Sequence, residues 1–256
     1  MKKHHVLEVI TVIVFMLLSM PAIGQDVDGL LLEAKQKLTE GQSANNVSII
    51  MESRAMFERA GSSAERKVLA HYYVALASYR MATMNASEKE QLKYLDQSIE
   101  QLEKVIEMDA AFTEGYALLG SALGWKAGLK PMQSMFLGPR ANKMVAKAKE
   151  LQPENPRAIM IGAVSDYNTP KMFGGDPVRA MKGFEEAIAL FEKEELEDPL
   201  MPAWGHEEAY AWLGQGHLTN GAKEQARAAL EKSLEINPDY GWVKYVLLPK
   251  VSSATP

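Results

Sequence analysis

The stretch EEAYAWLGQGHLTNGAKEQARAALEKSLEINPDY, residues 207–240, decides the fold of this chain. It contains two segments with helical spacing of apolar residues, separated by Asn220-Gly221, a pair that favours a turn. Ala226 is small, as is needed where one helix crosses another closely, and Leu230 is large, as is needed to fill a gap between the helices. The stretch predicts a helical hairpin whose apolar face must be covered by neighbouring hairpins.

The same 34 residues resemble a tetratricopeptide repeat (TPR). Tyr210 occupies the first aromatic position of the repeat, Leu213-Gly214 match its Leu-Gly pair, and Pro238 closes it, whereas His217 departs from the usual aromatic residue. The resemblance implies an all-α, right-handed solenoid of about five hairpins. It also implies that the first helices of successive hairpins line a concave groove.

Upstream regions carry the same marks at a longer spacing. Gly120 and Ala141 are 21 residues apart, and so are Ala77 and Ser98, whereas the matching positions of the 207–240 stretch are 12 apart. We therefore expect insertions of about nine residues between the two helices of these hairpins. The expected organisation is one repeat domain over residues 25–256, with hairpins at about 28–60, 70–108, 113–153, 157–190 and 207–240 and a closing segment at 240–248.

The N-terminus has the layout of a secretory signal peptide. Lys2 and Lys3 precede a charge-free run from Val9 to Met20, and small residues lead to a cleavage site after Gly24. The alternative is an uncleaved membrane anchor, but the run has 12 residues, whereas crossing a bilayer takes about 20. We expect residues 1–24 to be removed and the rest to be exported, periplasmic or secreted, without stable membrane insertion.

Composition and motifs argue against several function classes. The net charge of −5 disfavours nucleic acid as a partner, and the absence of cysteine excludes disulfides and thiolate metal sites. His206 begins a zinc-protease-like His-Glu-x-x motif, but Tyr210 stands where the second histidine must be. His71 and His217 are too scattered to complete a metal site. We expect no cofactor, no metal and no catalytic residues, and hence not an enzyme.

Three connecting segments invite a functional interpretation. The glycines of TPKMFGGDP, residues 169–177, lack a phosphate-binding fingerprint, and Asp176 and Pro177 favour a turn followed by a helix start. The apolar residues 131–137 predict either an adaptable binding surface or, as we favour, a loop that folds back and completes the core. Residues 191–206 are too long for a standard turn, and we expect them to form an excursion on the surface.

The TPR resemblance implies a set of groove-facing side chains that would contact a partner. They are His71, Ser78, Glu114, Ser121, Trp125, Arg157, Met160, Asn168, Glu208 and Gln215. Trp125 and Arg157 are the expected anchors, because aromatic and arginine side chains most often dominate interfaces. The expected function is a non-enzymatic exported scaffold that binds an envelope protein or peptide. The alternative is an accessory protein that binds a small ligand in a pocket closed by the insertions.

Overall fold

Helices make up most of the described chain, which is residues 26–85 and 87–253 of a computed structural model. Neither range contains a strand, and the expected signal segment, residues 1–24, lies outside them. The helices are α1 (Val27–Ser43), α2 (Val47–Ala60), α3 (Lys67–Met84), α4 (Glu88–Met108), α5 (Thr113–Leu129), α6 (Ser134–Leu151), α7 (Pro156–Asn168), α8 (Pro177–Phe191), α9 (His206–Thr219), α10 (Lys223–Ile236) and α11 (Leu248–Ser253).

Ten of these helices pair into five consecutive hairpins, α1–α2 to α9–α10, which stack into a solenoid. The first helix of each hairpin contacts the first helix of the next, and the second helix packs on the first helix that follows it. The expected all-α solenoid of hairpins is therefore confirmed. We call the side of the molecule formed by α1, α3, α5, α7 and α9 the first-helix face.

Small residues set how closely the two helices of a hairpin approach. A Cβ added to Gly214 would lie 2.6 Å from Leu230 Cδ2, and one added to Gly120 would lie 2.6 Å from Val145 Cγ2. Contacts this short displace side chains in a close-packed interior. The Leu-Gly pairs in the sequence therefore mark the true crossing points of hairpins three and five.

The insertions take two different forms. In the second hairpin the extra residues lengthen the helices, since α3 has 18 residues and α4 has 21, with a short connection between them. In the third and fourth hairpins the connection contains a turn of 3₁₀-helix, Pro131–Gln133 and Lys171–Phe173 respectively. We call these two connections the hairpin tips, and we count the first turn of α6, which begins at Ser134, with the tip of the third hairpin.

The glycine-rich connection of the fourth hairpin is a turn, as the sequence predicts. Gly174 has a φ of 94°, in the left-handed region that favours glycine. The side chain of Asp176 accepts hydrogen bonds from the backbone N–H groups of Val178 and Arg179, and Pro177 is the first residue of α8. These contacts satisfy the helix-end amides that an anion would otherwise bind.

The last hairpin is covered at its open side by the C-terminal segment. Residues Val243–Leu247 form a turn of π-helix that leads into α11. Val243 and Leu247 are fully buried against Ala226 and Leu230 of α10. The segment supplies the neighbour that a terminal hairpin needs to cover its apolar face.

Candidate functional site

The connection between α8 and α9, residues 192–205, crosses the first-helix face back to the start of the solenoid. We call it the strap. Leu200 of the strap is 2% exposed and belongs to the core of the first two hairpins. The Tyr73 hydroxyl donates a hydrogen bond to the Leu200 carbonyl. The strap runs over the surface as expected where residues 192, 193, 195–197 and 199 are exposed. It differs from the expectation in burying Leu200 against helices more than a hundred residues away.

Further along the strap, Trp204 is held between α3 and α9. Its Nε1 donates a hydrogen bond of 2.8 Å to the Tyr72 hydroxyl, and the guanidinium carbon of Arg80 lies 5.0 Å from the centre of its ring. Arg80 also forms an ion pair with Glu208 of α9. Tyr72 is buried, which raises the pKa of its hydroxyl well above the usual value and keeps it protonated.

Arg157, at the start of α7, joins three parts of the chain. Its Nε lies 2.8 and 2.9 Å from the two carboxylate oxygens of Glu114 in α5. Its terminal nitrogens donate to Glu194 of the strap and, at 3.3 Å, to the Trp204 carbonyl. Burial opposes the charge of Arg157, but the carboxylates of Glu114 and Glu194 outweigh it and raise the pKa. Arg157 thus ties α5 and the strap to α7.

Most of the ten sequence-predicted contact residues make contacts within the chain, and six of them are covered or paired most completely. His71 lies 2.7 Å from Gln101 of α4, through Nδ1 and Oε1, and so faces the second helix of its own hairpin. Ser78 is fully buried and donates to the Val74 carbonyl, and Met160 is buried in the core. The other three, Glu114, Arg157 and Glu208, form the ion pairs described above. In this structure none of the six presents a free side chain.

The remaining four residues lie from the middle to the C-terminal ends of the first helices. Trp125 of α5 is 37% exposed, and its ring packs edge-on against Tyr79 at 6.3 Å. Ser121 shares a hydrogen bond of 2.9 Å with the Tyr79 hydroxyl. Asn168 is exposed at the end of α7, and Gln215 is partly exposed on α9. The structure therefore separates the predicted site into a covered part and an accessible part.

The two hairpin tips carry an exposed apolar surface. Met132, Met135, Phe136, Met172 and Phe173 are 92%, 70%, 71%, 83% and 71% exposed, respectively. We call these five side chains the tip surface. The favoured interpretation of residues 131–137, a loop that folds back into the core, is wrong for these side chains.

Adjacent hairpins bring the two tips to the same edge of the solenoid. Helices α6 and α7 pack together, and Ser165 Oγ donates a hydrogen bond of 3.0 Å to Asn142 Oδ1 between them. From the sequence, the first tip was expected to be a binding surface or a part of the core, and the second was expected to be only a glycine turn. The signal that it missed is the repeated pattern of a proline followed closely by methionine and phenylalanine, PMQSMF at 131–136 and PKMF at 170–173.

Comparison with known families confirms the repeat type. The profile of the tetratricopeptide repeat matches residues 79–112 and 207–240. The chain therefore contains TPR repeats at these two places. The second match coincides with the 34 residues that the sequence marks as a complete repeat. The first match begins inside α3 and runs through α4.

Two solved structures share the fold of this chain. HusA haemophore from Porphyromonas gingivalis superposes with a TM-score of 0.62 at 21% identity, covering 77% of this chain and 94% of its own. TTC0263, a thermophilic TPR protein of Thermus thermophilus, gives a TM-score of 0.58 at 17% identity, covering 86% of this chain and 99% of its own. A comparison with curated proteins gave no significant match.

Proposed function

We propose that this TPR protein is an exported, non-enzymatic scaffold that binds another protein through the tip surface. The observation that carries the proposal is the set of five methionine and phenylalanine side chains exposed on two adjacent hairpin tips. Large apolar side chains in water are unfavourable, and a contiguous group of them marks an interaction site.

The chemistry of the tip surface favours an apolar helix of the partner. Methionine side chains are flexible and adapt to different apolar surfaces, while Phe136 and Phe173 supply larger and more rigid contacts. An amphipathic helix presents an apolar stripe of the width that such an edge can cover. Trp125, which is partly exposed near the end of α5, remains a proposed contact of the same partner.

Export is the second part of the proposal and depends on residues 1–24. Their basic start, short apolar run and small residues before the cleavage site are typical of a signal peptide. Among the helices of the described ranges, none is long and apolar enough to cross a membrane. We propose the periplasm or the exterior of the cell as the location and an envelope protein as the partner.

The experiment compares two variants of residues 25–256 with the unmodified protein. One variant carries Phe136→Ser and Phe173→Ser on the tip surface. The control carries Tyr245→Ser, which changes an aromatic side chain that is 76% exposed elsewhere on the molecule. Each protein is cross-linked in the soluble envelope fraction of the host, and captured proteins are quantified by mass spectrometry.

We expect the unmodified protein to capture a specific partner protein. The tip variant should recover at least about tenfold less of this partner, because it has lost two aromatic anchors of the interface. The Tyr245→Ser control should recover it like the unmodified protein. Equal recovery by both variants, with circular dichroism showing that they are folded, would contradict the assignment of the tip surface. If instead the pure protein forms a concentration-dependent dimer and the tip variant does not, the tip surface binds a second copy of this chain and not another protein.

A second candidate function is carriage of a small apolar ligand at the same edge. It is favoured by the exposed thioethers of Met132, Met135 and Met172 beside two phenylalanine rings. HusA, with which the fold is shared, is a haemophore. Titration with haemin tests this candidate: a saturable shift of its absorbance that the Phe136→Ser, Phe173→Ser variant loses would favour a ligand carrier. An unchanged spectrum would exclude haem at this edge.

A further inference from the structure

We infer that the first-helix face is a binding site for an extended peptide and that the strap occupies it as a built-in ligand. The peptide has the pattern of Asp198-Pro-Leu-Met-Pro-Ala-Trp204, in which an acidic residue, a leucine and a tryptophan make the contacts. This site is separate from the tip surface. A partner with the same chemistry would therefore compete with the strap and not with the proposed apolar helix.

The strap is recognised first through its backbone. Lys35 Nζ donates to the carbonyls of Pro199 and Met201, and Tyr73 donates to the carbonyl of Leu200 between them. Three consecutive carbonyls are thus bound by side chains of α1 and α3. Side chains that bind successive main-chain groups hold a segment extended with little dependence on its sequence, as in other peptide-binding grooves.

Specificity comes from two side chains of the strap. Leu200 is buried among apolar residues of the first hairpins. Trp204 donates to Tyr72 and stacks near the guanidinium of Arg80. Pro199 and Pro202 restrict the backbone around them and reduce the entropy lost on binding. The spacing between Leu200 and Trp204 therefore defines the sequence that this face accepts.

Charge fixes the direction of the strap. Asp198 lies 3.3 Å from the guanidinium of Arg66, just before α3, and Glu194 pairs with Arg157 at the start of α7. Arg66 also holds Asp28 through two hydrogen bonds. The two arginines place positive charge along the path of the strap, which matches an acidic segment preceding the leucine.

The strap is attached to the other hairpins through side-chain contacts alone. In the described chain, the backbone–backbone hydrogen bonds of residues 192–205 are to nearby residues of the same region, and every bond to another hairpin uses a side chain. The helical hydrogen bonds of α1, α3 and α7 do not depend on the strap. Segments attached in this way open at a lower free energy than the hairpins themselves.

The experiment measures binding of a labelled peptide in trans. The peptide is EELEDPLMPAWG, residues 194–205, and the control peptide carries Leu200→Asp and Trp204→Ala. Two proteins are compared by fluorescence anisotropy: residues 25–256 unmodified, and the same protein with Leu200→Asp and Trp204→Ala in its own strap. The recognition side chains Lys35 and Tyr73 are intact in both.

We call the protein with Leu200→Asp and Trp204→Ala in its own strap the opened variant. It is expected to bind the wild-type peptide at least about tenfold more tightly than the unmodified protein, because its strap no longer occupies the site. The control peptide should bind neither. A folded opened variant that does not bind the peptide would overturn the inference, and so would equal binding by the two proteins. If the opened variant does not fold, the Trp204→Phe variant is used in its place. This variant keeps an aromatic ring but loses the hydrogen bond to Tyr72, and it must bind the peptide more tightly than the unmodified protein. Loss of peptide binding leaves the tip-surface proposal untouched, since the strap changes do not alter the tips.

Discussion

Arg80 and Glu208, which are 128 residues apart in sequence, form an ion pair between α3 and α9. The pair joins the second hairpin to the fifth across the first-helix face, and Trp204 of the strap lies against it. Both side chains are mostly buried. The end of the solenoid is therefore tied to its beginning, and a partner that enters the face must first displace the strap.

Replacing Arg157 by methionine should destabilise the protein strongly. The Arg157–Glu114 pair is almost completely buried, with side-chain exposures of 3% and 5%. Loss of one partner leaves a buried carboxylate uncompensated, which costs about 3–5 kcal/mol. Urea unfolding measures the change, and Arg140→Ala, which breaks a surface pair with Glu103, is the control and should cost about 0–1 kcal/mol. Similar losses for the two variants would show that Arg157 is not a structural tie.

Gly205→Ala should destabilise more than Gly221→Ala. Both glycines have positive φ, 109° and 74°, so each change carries a backbone cost of roughly 1–2 kcal/mol. A Cβ at Gly205 would also lie 2.9 Å from the ring of Phe191, whereas nothing lies within 4 Å at Gly221. The melting temperatures of the two variants, compared with that of the unmodified protein, separate the backbone cost that both share from the cost of the contact with Phe191, which only Gly205→Ala has. Equal melting temperatures would mean that the strap end relaxes freely.

Glu207→Gln should stabilise the protein at neutral pH and not in acid. Burial, and next the charge of Glu208, raise the pKa of Glu207 above its usual value of 4.5. The folded state therefore disfavours the ionised form, so the benefit of glutamine appears as pH rises above about 4.5 and is complete above the folded-state pKa. Unfolding midpoints at pH 4 and pH 7 test the sign. A variant less stable than the parent at pH 7 would contradict it.

Ser98→Ala should be neutral or stabilising. In the described structure the buried hydroxyl of Ser98 has no hydrogen-bond partner, and an unsatisfied buried polar group is costly. Ser53 is the matched control, because its hydroxyl is equally buried but donates 2.8 Å to the Ala34 carbonyl. Ser53→Ala should lower stability by about 1 kcal/mol. The expectation is contradicted if Ser98→Ala is the more damaging of the two in urea unfolding.

The repeat architecture could be predicted because each hairpin is specified locally. The turn at Asn220-Gly221 and the small residue at Gly214 act within the 207–240 stretch, and the same kinds of marker residue recur upstream at a longer spacing. The lengthening of α3 and α4 could not be distinguished from an inserted loop. Extra residues with helical spacing continue a helix whenever a neighbouring helix covers them, and that depends on packing outside the segment.

Of the candidate site, the repeat register predicted Trp125 and Arg157 alike as groove contacts, but it did not reveal that Arg157 is paired within the chain. A repeat pattern shows which side of a helix faces the groove, but it does not show what fills the groove. Glu194, the partner of Arg157 in the strap, lies in a charge-rich run that is typical of a solvated surface.

By itself, the sequence determined the helical hairpins, their order and the positions where they cross, because these depend on residues close together in the chain. The tertiary structure alone decided that the strap covers the first-helix face and that the methionine and phenylalanine side chains of the tips stay exposed. Contacts such as Tyr73 with Leu200, 127 residues apart, form only after the stacked hairpins have brought distant segments together. No local pattern of hydrophobicity or charge encodes that distance.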